Sequence, residues 1–126
     1  FAMVETAEGY ANLDAIAATP GLDGIYVGPT DLTLSLSKGQ LAPSLDREEP
    51  EMVAALQKIA AACKTHGIIA ALHCATPDYA TRAIGWGYRM VTVGGDTRFL
   101  SAGAAAAVAD FRSQTGQSGK GAPGGY

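Results

Sequence analysis

Short apolar runs alternate along this chain with longer stretches in which apolar residues recur at every third or fourth position, and the alternation repeats four times. Ala2-Met3-Val4-Glu5 is the first run. Thr6 follows as a helix-capping residue, and Tyr10, Leu13, Ile16 and Ala17 then fall on one helical stripe. Pro20-Gly21 ends that helix, and Ile25 to Val27 form a second strand. Asp31 opens an irregular segment, DLTLSLSKGQLAPSLDREEP, with room for a short helix before a long one predicted from about Glu51 to His66. Val53, Leu56, Ile59, Ala60 and Cys63 make the buried stripe of the long helix, and His66-Gly67 closes it with a cation near the negative helix end and a residue that tolerates a left-handed turn. The run IIAAL is the third strand. Thr76-Pro77 supplies an N-cap and a first-turn proline for a helix reaching about Gly85, YRMVTVG is the fourth strand, and an alanine-rich helix starts at Asp96 or Thr97.

Strands separated by helices of ten or more residues must pair in parallel, and parallel strands covered by helices read as near-continuous apolar runs. The class is therefore α/β. Two architectures share this local pattern: an open doubly wound sheet, which four or five strands complete, and a (β/α)8 barrel, which needs eight strands and about 250 residues. Residues 1–113 hold four βα units, half a barrel, and residues 114–126 are a tail rich in Gly, Ser and Pro, expected to be flexible or bound to a neighbour. The chain starts at Phe1 within a strand pattern, so a preceding part of the fold is expected.

Composition narrows the function classes. With 126 residues, 48% hydrophobic and 17% charged, and a net charge of −3, the chain suits one globular domain and neither a disordered tail nor a nucleic-acid arm. No apolar run nears the roughly 18 residues of a membrane span and no signal peptide is visible, which makes a cytoplasmic protein the expectation. Cys63 and Cys74 are too few for a disulfide framework and are expected to be reduced and packed.

In either architecture chemistry collects at the carboxyl ends of the strands. Glu5 ends the first strand and Asp31 follows the second, so both carboxylates are expected on one rim as spatial neighbours. Two such anions repel unless one is protonated or a cation lies between them, and oxygen-only ligands suit hard ions such as Mg2+ or Mn2+. The competing reading is structural: Glu5 pairs with a basic residue, and Asp31 caps a short helix.

The segments MVETAEGYANLDAIAATPGLDGIYVGPTDLTLSL and GWGYRMVTVGGDTRFL, with the Gly-Gly-Tyr end, resemble the C-terminal half of the HpcH/HpaI aldolase family, metal-dependent class II pyruvate aldolases related to citrate lyase β-subunits. The most specific parts are the Glu of VET and the turn GPTDL. The resemblance implies half of a (β/α)8 barrel and a divalent ion (Mg2+ or Mn2+, or Co2+) held by Glu5 and Asp31. It also implies substrates made of a 2-oxo acid such as pyruvate and an aldehyde, joined in or released from 4-hydroxy-2-oxo acids, and a homo-oligomer. The ion's open positions take the keto and carboxylate oxygens of the oxo acid, and no lysine Schiff base is needed. Thr30 and Asp31 offer backbone N–H groups for the substrate carboxylate, and Gly28 allows close approach, while Pro29 has no N–H to give. Some relatives carry glutamine where this chain has Met3, on the same inward side as Glu5, so a hydrogen bond to substrate is lost there. The family's substrate-gripping arginine and His–Asp base lie outside this half, and the chain alone is expected to be inactive.

Other residues carry weaker signals. His73 and Cys74 are adjacent, but strand neighbours point to opposite faces and make a poor dyad; His73 either lines the pocket or is packed and hydrogen-bonded. VGGDTRFL is either an anion cradle, with Arg98 adding charge, or a plain turn and N-cap. Trp86, within GWG, reads as a packing anchor, and Ala104 to Ala107 as a close helix contact, even between subunits. Three functions remain open: the aldolase, a citrate-lyase-like enzyme acting on acyl-CoA, and a noncatalytic α/β binding domain with Asp31 as a switch-point acid. A binding domain has no need of Glu5, whereas the lyase loses its metal without it.

Overall fold

Four strands, β1 (Ala2–Val4), β2 (Gly24–Val27), β3 (Ile69–Leu72) and β4 (Met90–Val91), pair in parallel as one sheet in the order β1-β2-β3-β4. This is seen in a computed structural model that describes residues 1–116. The helices are α1 (Ala7–Ala11), α2 (Leu13–Ala17), α3 (Pro29–Leu36), α4 (Pro50–Thr65), α5 (Pro77–Gly85) and α6 (Asp96–Gln114). The chain divides into two units, Phe1–Gly94 and the part from Gly95 onward, which contains α6. A doubly wound sheet reverses its strand order at a switch point. Here all four strands follow in sequence without reversal, which is the connectivity of part of a (β/α)8 barrel.

Parallel register sets two rows of side chains. Val4, Val27, Leu72 and Val91 stand side by side in one row, and Met3, Tyr26, Ala71 and Met90 in the other. The first row faces the helices: Val4, Val27 and Leu72 are buried with Ile25, Leu13, Leu56 and Ile59 in one apolar cluster, with Val91 packed at its margin. The second row is the open one, and Met3 (58%) and Met90 (48%) are exposed on it.

Local chemistry explains where the helices begin. The Thr6 hydroxyl accepts from the Gly9 N–H at 3.0 Å, as expected of a cap. The single helix expected after β1 is instead two, because at Asn12 the backbone leaves helical geometry (φ −95°, ψ 17°) while its side-chain amide donates to the Glu8 carbonyl at 3.0 Å. The short helix for which the segment after Asp31 had room is α3, and it starts earlier, at Pro29, which takes the first helical position after Gly28. In α4, Pro50 plays the same part, and Met52, Ala55 and Ala62 join Leu56, Ile59, Ala60 and Cys63 in the buried stripe, leaving Val53 half-buried. Thr76 and Pro77 start α5 as expected, with the Tyr79 N–H donating to the Thr76 hydroxyl. The fourth strand is shorter than its seven-residue pattern, since Tyr88 turns into the core and donates its hydroxyl to the Leu56 carbonyl at 2.8 Å. Helix α6 runs one residue past the expected 113 boundary, and residues 117–126 of the tail lie outside the described residues.

The link between α3 and α4 is tied down by polar groups that no hydrophobic pattern announces. The Asp46 carboxylate accepts from the Ala75 N–H (2.7 Å) and the Thr76 hydroxyl (2.6 Å), fixing the link to the start of α5. Arg47, 5% exposed, donates to the Ala42 carbonyl and to Glu49, and its own carbonyl accepts from the Tyr79 hydroxyl at 2.6 Å. Cys63 and Cys74 are both free and buried. Among the described residues no helix is long and apolar enough to cross a membrane.

At the start of β2 a side chain on Gly24 has no room: a Cβ there stands 2.5 Å from the Ile69 carbonyl oxygen and 2.5 Å from the Phe1 ring. The backbone atom belongs to the neighbouring strand and cannot yield without disturbing the ladder. Gly24→Ala is expected to destabilise the fold by about 1–3 kcal/mol, measured by urea unfolding; unchanged stability would show that the β2–β3 pairing is looser than described.

Candidate metal centre

Glu5 is the first residue beyond β1 and Gly28 the first beyond β2, and because these strands are parallel neighbours both lie on the carboxyl rim. The register that pairs Met3 with Tyr26 puts Glu5 and Gly28 one step further along the same open row. A Cβ built on Gly28 falls 2.7 Å from Glu5 Oε2 and 3.3 Å from Glu5 Cβ. The Glu5 side chain thus lies across the bare Cα of Gly28. With φ −93° the Gly28 backbone is open to any residue, so it is the space above it that requires glycine.

Helix α3 leaves from that point, with Pro29, Thr30 and Asp31 as its first three residues. Leu32 and Thr33 are buried, and the Thr33 hydroxyl donates to the Pro29 carbonyl at 2.6 Å, which anchors the first turn while Asp31 stays exposed. The Ser35 hydroxyl accepts from the Ala7 N–H at 2.8 Å, so the chain following Glu5 is fastened directly to the helix that carries Asp31. Gly28 caps α3 without a side-chain bond, and Asp31 makes no capping bond either. Among the described residues neither carboxylate has an ion pair or a hydrogen bond. The structural roles open to these acids, a salt bridge for Glu5 and a cap for Asp31, are thus not the ones adopted.

The donor chemistry is that of a hard divalent ion: Glu5, seated over Gly28, and Asp31, in the first turn of α3, are carboxylates without an ion pair among the described residues, and carboxylate oxygens suit such ions. Among the described residues no cluster of three or more His, Cys, Asp or Glu side chains surrounds a common point. Such an ion would complete its shell with water or substrate oxygens, as Mg2+ commonly does. Thr30 and Asp31 place backbone N–H groups in the unsatisfied first turn of α3.

The remaining sequence candidates separate clearly. Met3 stands exposed on the open row next to Tyr26. His73 is hydrogen-bonded: its Nδ1 lies 2.7 Å from the Tyr26 hydroxyl, a partner the sequence reading missed although Tyr26 interrupts the apolar pair Ile25 and Val27. Cys74 is fully buried, and burial followed by the Asp46 charge pushes its thiol up to about 11, so no Cys–His dyad forms. Trp86 caps α5 and meets the Tyr79 ring edge to face at 5.5 Å, as a packing anchor does. At the Gly94-Gly95 turn the Asp96 carboxylate accepts from the Thr97 N–H at 2.7 Å, a plain helix start already holding an acid. Arg98 and Ala104 to Ala107 are exposed residues of α6.

Comparison with known proteins accords with this geometry. The model of the HpcH/HpaI aldolase/citrate lyase family matches residues 1–102. The chain is 37% identical over 111 residues to the hydroxypyruvate/pyruvate aldolase of Rhizorhabdus wittichii, covering 88% of this chain and 43% of that protein. It is 40% identical over 93 residues to the 5-keto-4-deoxy-D-glucarate aldolase of Citrobacter koseri, covering 74% and 34%. Among solved structures, a family protein from Burkholderia cenocepacia superposes with a TM-score of 0.76 at 31% identity over 87% of this chain and 41% of the other. Macrophomate synthase superposes at 0.69 and 27% over 94% and 40%. The chain thus spans less than half the length of the relatives it matches. It belongs to the HpcH/HpaI aldolase/citrate lyase family.

Proposed function

We propose that the protein carrying this chain is a divalent-metal-dependent aldolase that reversibly cleaves the carbon–carbon bond between a 2-oxo acid and an aldehyde, with Glu5 and Asp31 as this chain's metal ligands. The observation that carries the reading is the seat of the Glu5 carboxylate over Gly28, at the foot of the helix that bears Asp31. The named activities of the R. wittichii and C. koseri relatives support it and suggest pyruvate or hydroxypyruvate as the oxo acid. The oxygen-only donors favour Mg2+, Mn2+ or Co2+.

When bound, the ion supplies Lewis-acid polarisation of a keto group. The chain's own residues do the holding and aiming. The first-turn N–H groups of Thr30 and Asp31 suit the substrate carboxylate, since they have no intrahelical acceptor and lie at the positive end of α3. Gly28 presents no side chain, which lets both Glu5 and a ligand approach the backbone. Met3 offers the substrate an apolar surface with no hydrogen bond.

Stripping the whole protein with a chelator is expected to abolish pyruvate or hydroxypyruvate release from 4-hydroxy-2-oxo acids, and adding back Mg2+, Mn2+ or Co2+ to restore it. Glu5→Gln is expected to lower kcat/KM by about 100-fold or more. Metal-independent cleavage, or a Glu5→Gln enzyme as active as its parent, overturns the assignment.

Gly28→Ala tests the cradle. The added methyl displaces the flexible end of Glu5 instead of backbone, so stability is expected to stay within about 1 kcal/mol of the parent. Affinity for Mn2+, followed by calorimetric titration of the whole protein, is expected to fall about 10- to 100-fold. Unchanged affinity would mean that the Glu5 position over Gly28 has no part in holding the ion.

A further inference from the structure

Beside the two acids the same rim carries a hydrogen-bonded pair that the metal chemistry does not use. His73 is the first residue beyond β3, and its backbone N–H donates to the Val27 carbonyl at 3.3 Å, so it stands next to Gly28 on the side away from Glu5. Pairing of Val27 with Leu72 makes Gly28 and His73 the next step of the register, on the same open row as Glu5. Strand spacing of about 4.8 Å then puts the Glu5 and His73 backbones roughly 10 Å apart, with a residue lacking a side chain between them. That is the span of a small substrate.

The pair is held in one orientation. The Tyr26 hydroxyl and His73 Nδ1 are 2.7 Å apart and the rings meet edge to face at 6.2 Å. In the tautomer in which Nδ1 accepts, the Tyr26 hydroxyl donates along this bond, and among the described residues it has no other partner. Burial, and then the nearby Cys74, raise the Tyr26 pKa, which keeps that proton on the phenol. With Nδ1 accepting, a neutral His73 carries its own hydrogen on Nε2 as a free donor. On the neighbouring strand Met3, beside Tyr26, offers no polar group.

We propose that His73, oriented by Tyr26, is a specificity residue that donates its Nε2–H to a hydroxyl of the substrate and thereby favours hydroxylated substrates over their plain counterparts. The proposal rests on the aldolase reading above. The hydroxyl has two sources, C3 of the oxo acid or the aldehyde, and the shared chemistry is an alcohol oxygen able to accept the bond.

In the whole protein, one arm compares hydroxypyruvate with pyruvate against a fixed aldehyde, and the other compares glycolaldehyde with acetaldehyde against pyruvate. For His73→Ala the ratio of kcat/KM for the hydroxylated over the plain member is expected to drop about tenfold in one arm, which identifies the source. His73→Asn, which keeps an N–H donor, is expected to retain part of the preference. Tyr26→Phe, which leaves Nδ1 without its donor, is expected to give an intermediate loss. These two variants carry the test if His73→Ala does not fold. Equal losses on both members of each pair, or ratios unchanged in both arms, overturn the proposal while leaving the aldolase reading in place. A parent enzyme without metal-dependent turnover on any pair defeats both.

Discussion

Parallel pairing of β1 with β2 in a single register is the constraint on which the rest of this structure depends. It puts Val4 beside Val27 on the helix side and Met3 beside Tyr26 on the open side, and so it decides that Glu5 meets Gly28. A slip of β1 by one residue turns Val4 to the open side and its Glu5 toward Leu13, Leu56 and Ile59. At about 2 kcal/mol for each large apolar side chain left in water, and more for an unpaired buried charge, the apolar core therefore fixes the position of the acids.

The order of the strands follows from equally local causes. Helices α1, α3, α4 and α5 start from a capping or proline signal, Thr6, Pro29, Pro50 and Thr76-Pro77, and α2, α3, α4 and α5 each bury apolar residues. A sheet so built in sequential order curves in one sense, which is what barrel closure needs. Its open row, with Met3, Tyr26, Ala71 and Met90, supplies the kind of side chains that fill interior layers of such barrels.

Sequence alone made much of this legible, and for a physical reason. Apolar periodicity and caps are encoded within a few residues of where they act, so the four units, the α4 stripe and the Thr76-Pro77 start are visible without coordinates. The acids were legible because strand ends define a rim in any parallel α/β fold. What was missed depends on long-range polar contacts. Asp46 reaches residues 75 and 76, Tyr26 reaches His73 across 47 positions, and Tyr88 leaves the strand pattern to bond Leu56. None of these leaves a periodic trace. Asn12 was missed for the opposite reason, since a side chain bonding four residues back competes with the helix by a purely local device that periodicity does not register.

Gly28 shows a glycine kept for the sake of a neighbouring side chain and not for its own backbone. A glycine in a backbone conformation open to every residue costs about 0.5–1 kcal/mol relative to alanine, because it surrenders more freedom on folding. Glu5, which lies over it, and Asp31, three residues on, have no ion pair among the described residues. A Cβ at 28 would meet Glu5 Oε2 at 2.7 Å, so the glycine makes room for the Glu5 side chain and serves no turn of its own. Gly67, whose φ of +70° ends α4, has a conformational reason to be glycine, and Gly24 a steric one set by backbone. At Gly28 the atom that requires the space is a carboxylate oxygen. The glycine's cost is borne for a carboxylate, and the divalent ion proposed above, binding the folded state alone, would offset it.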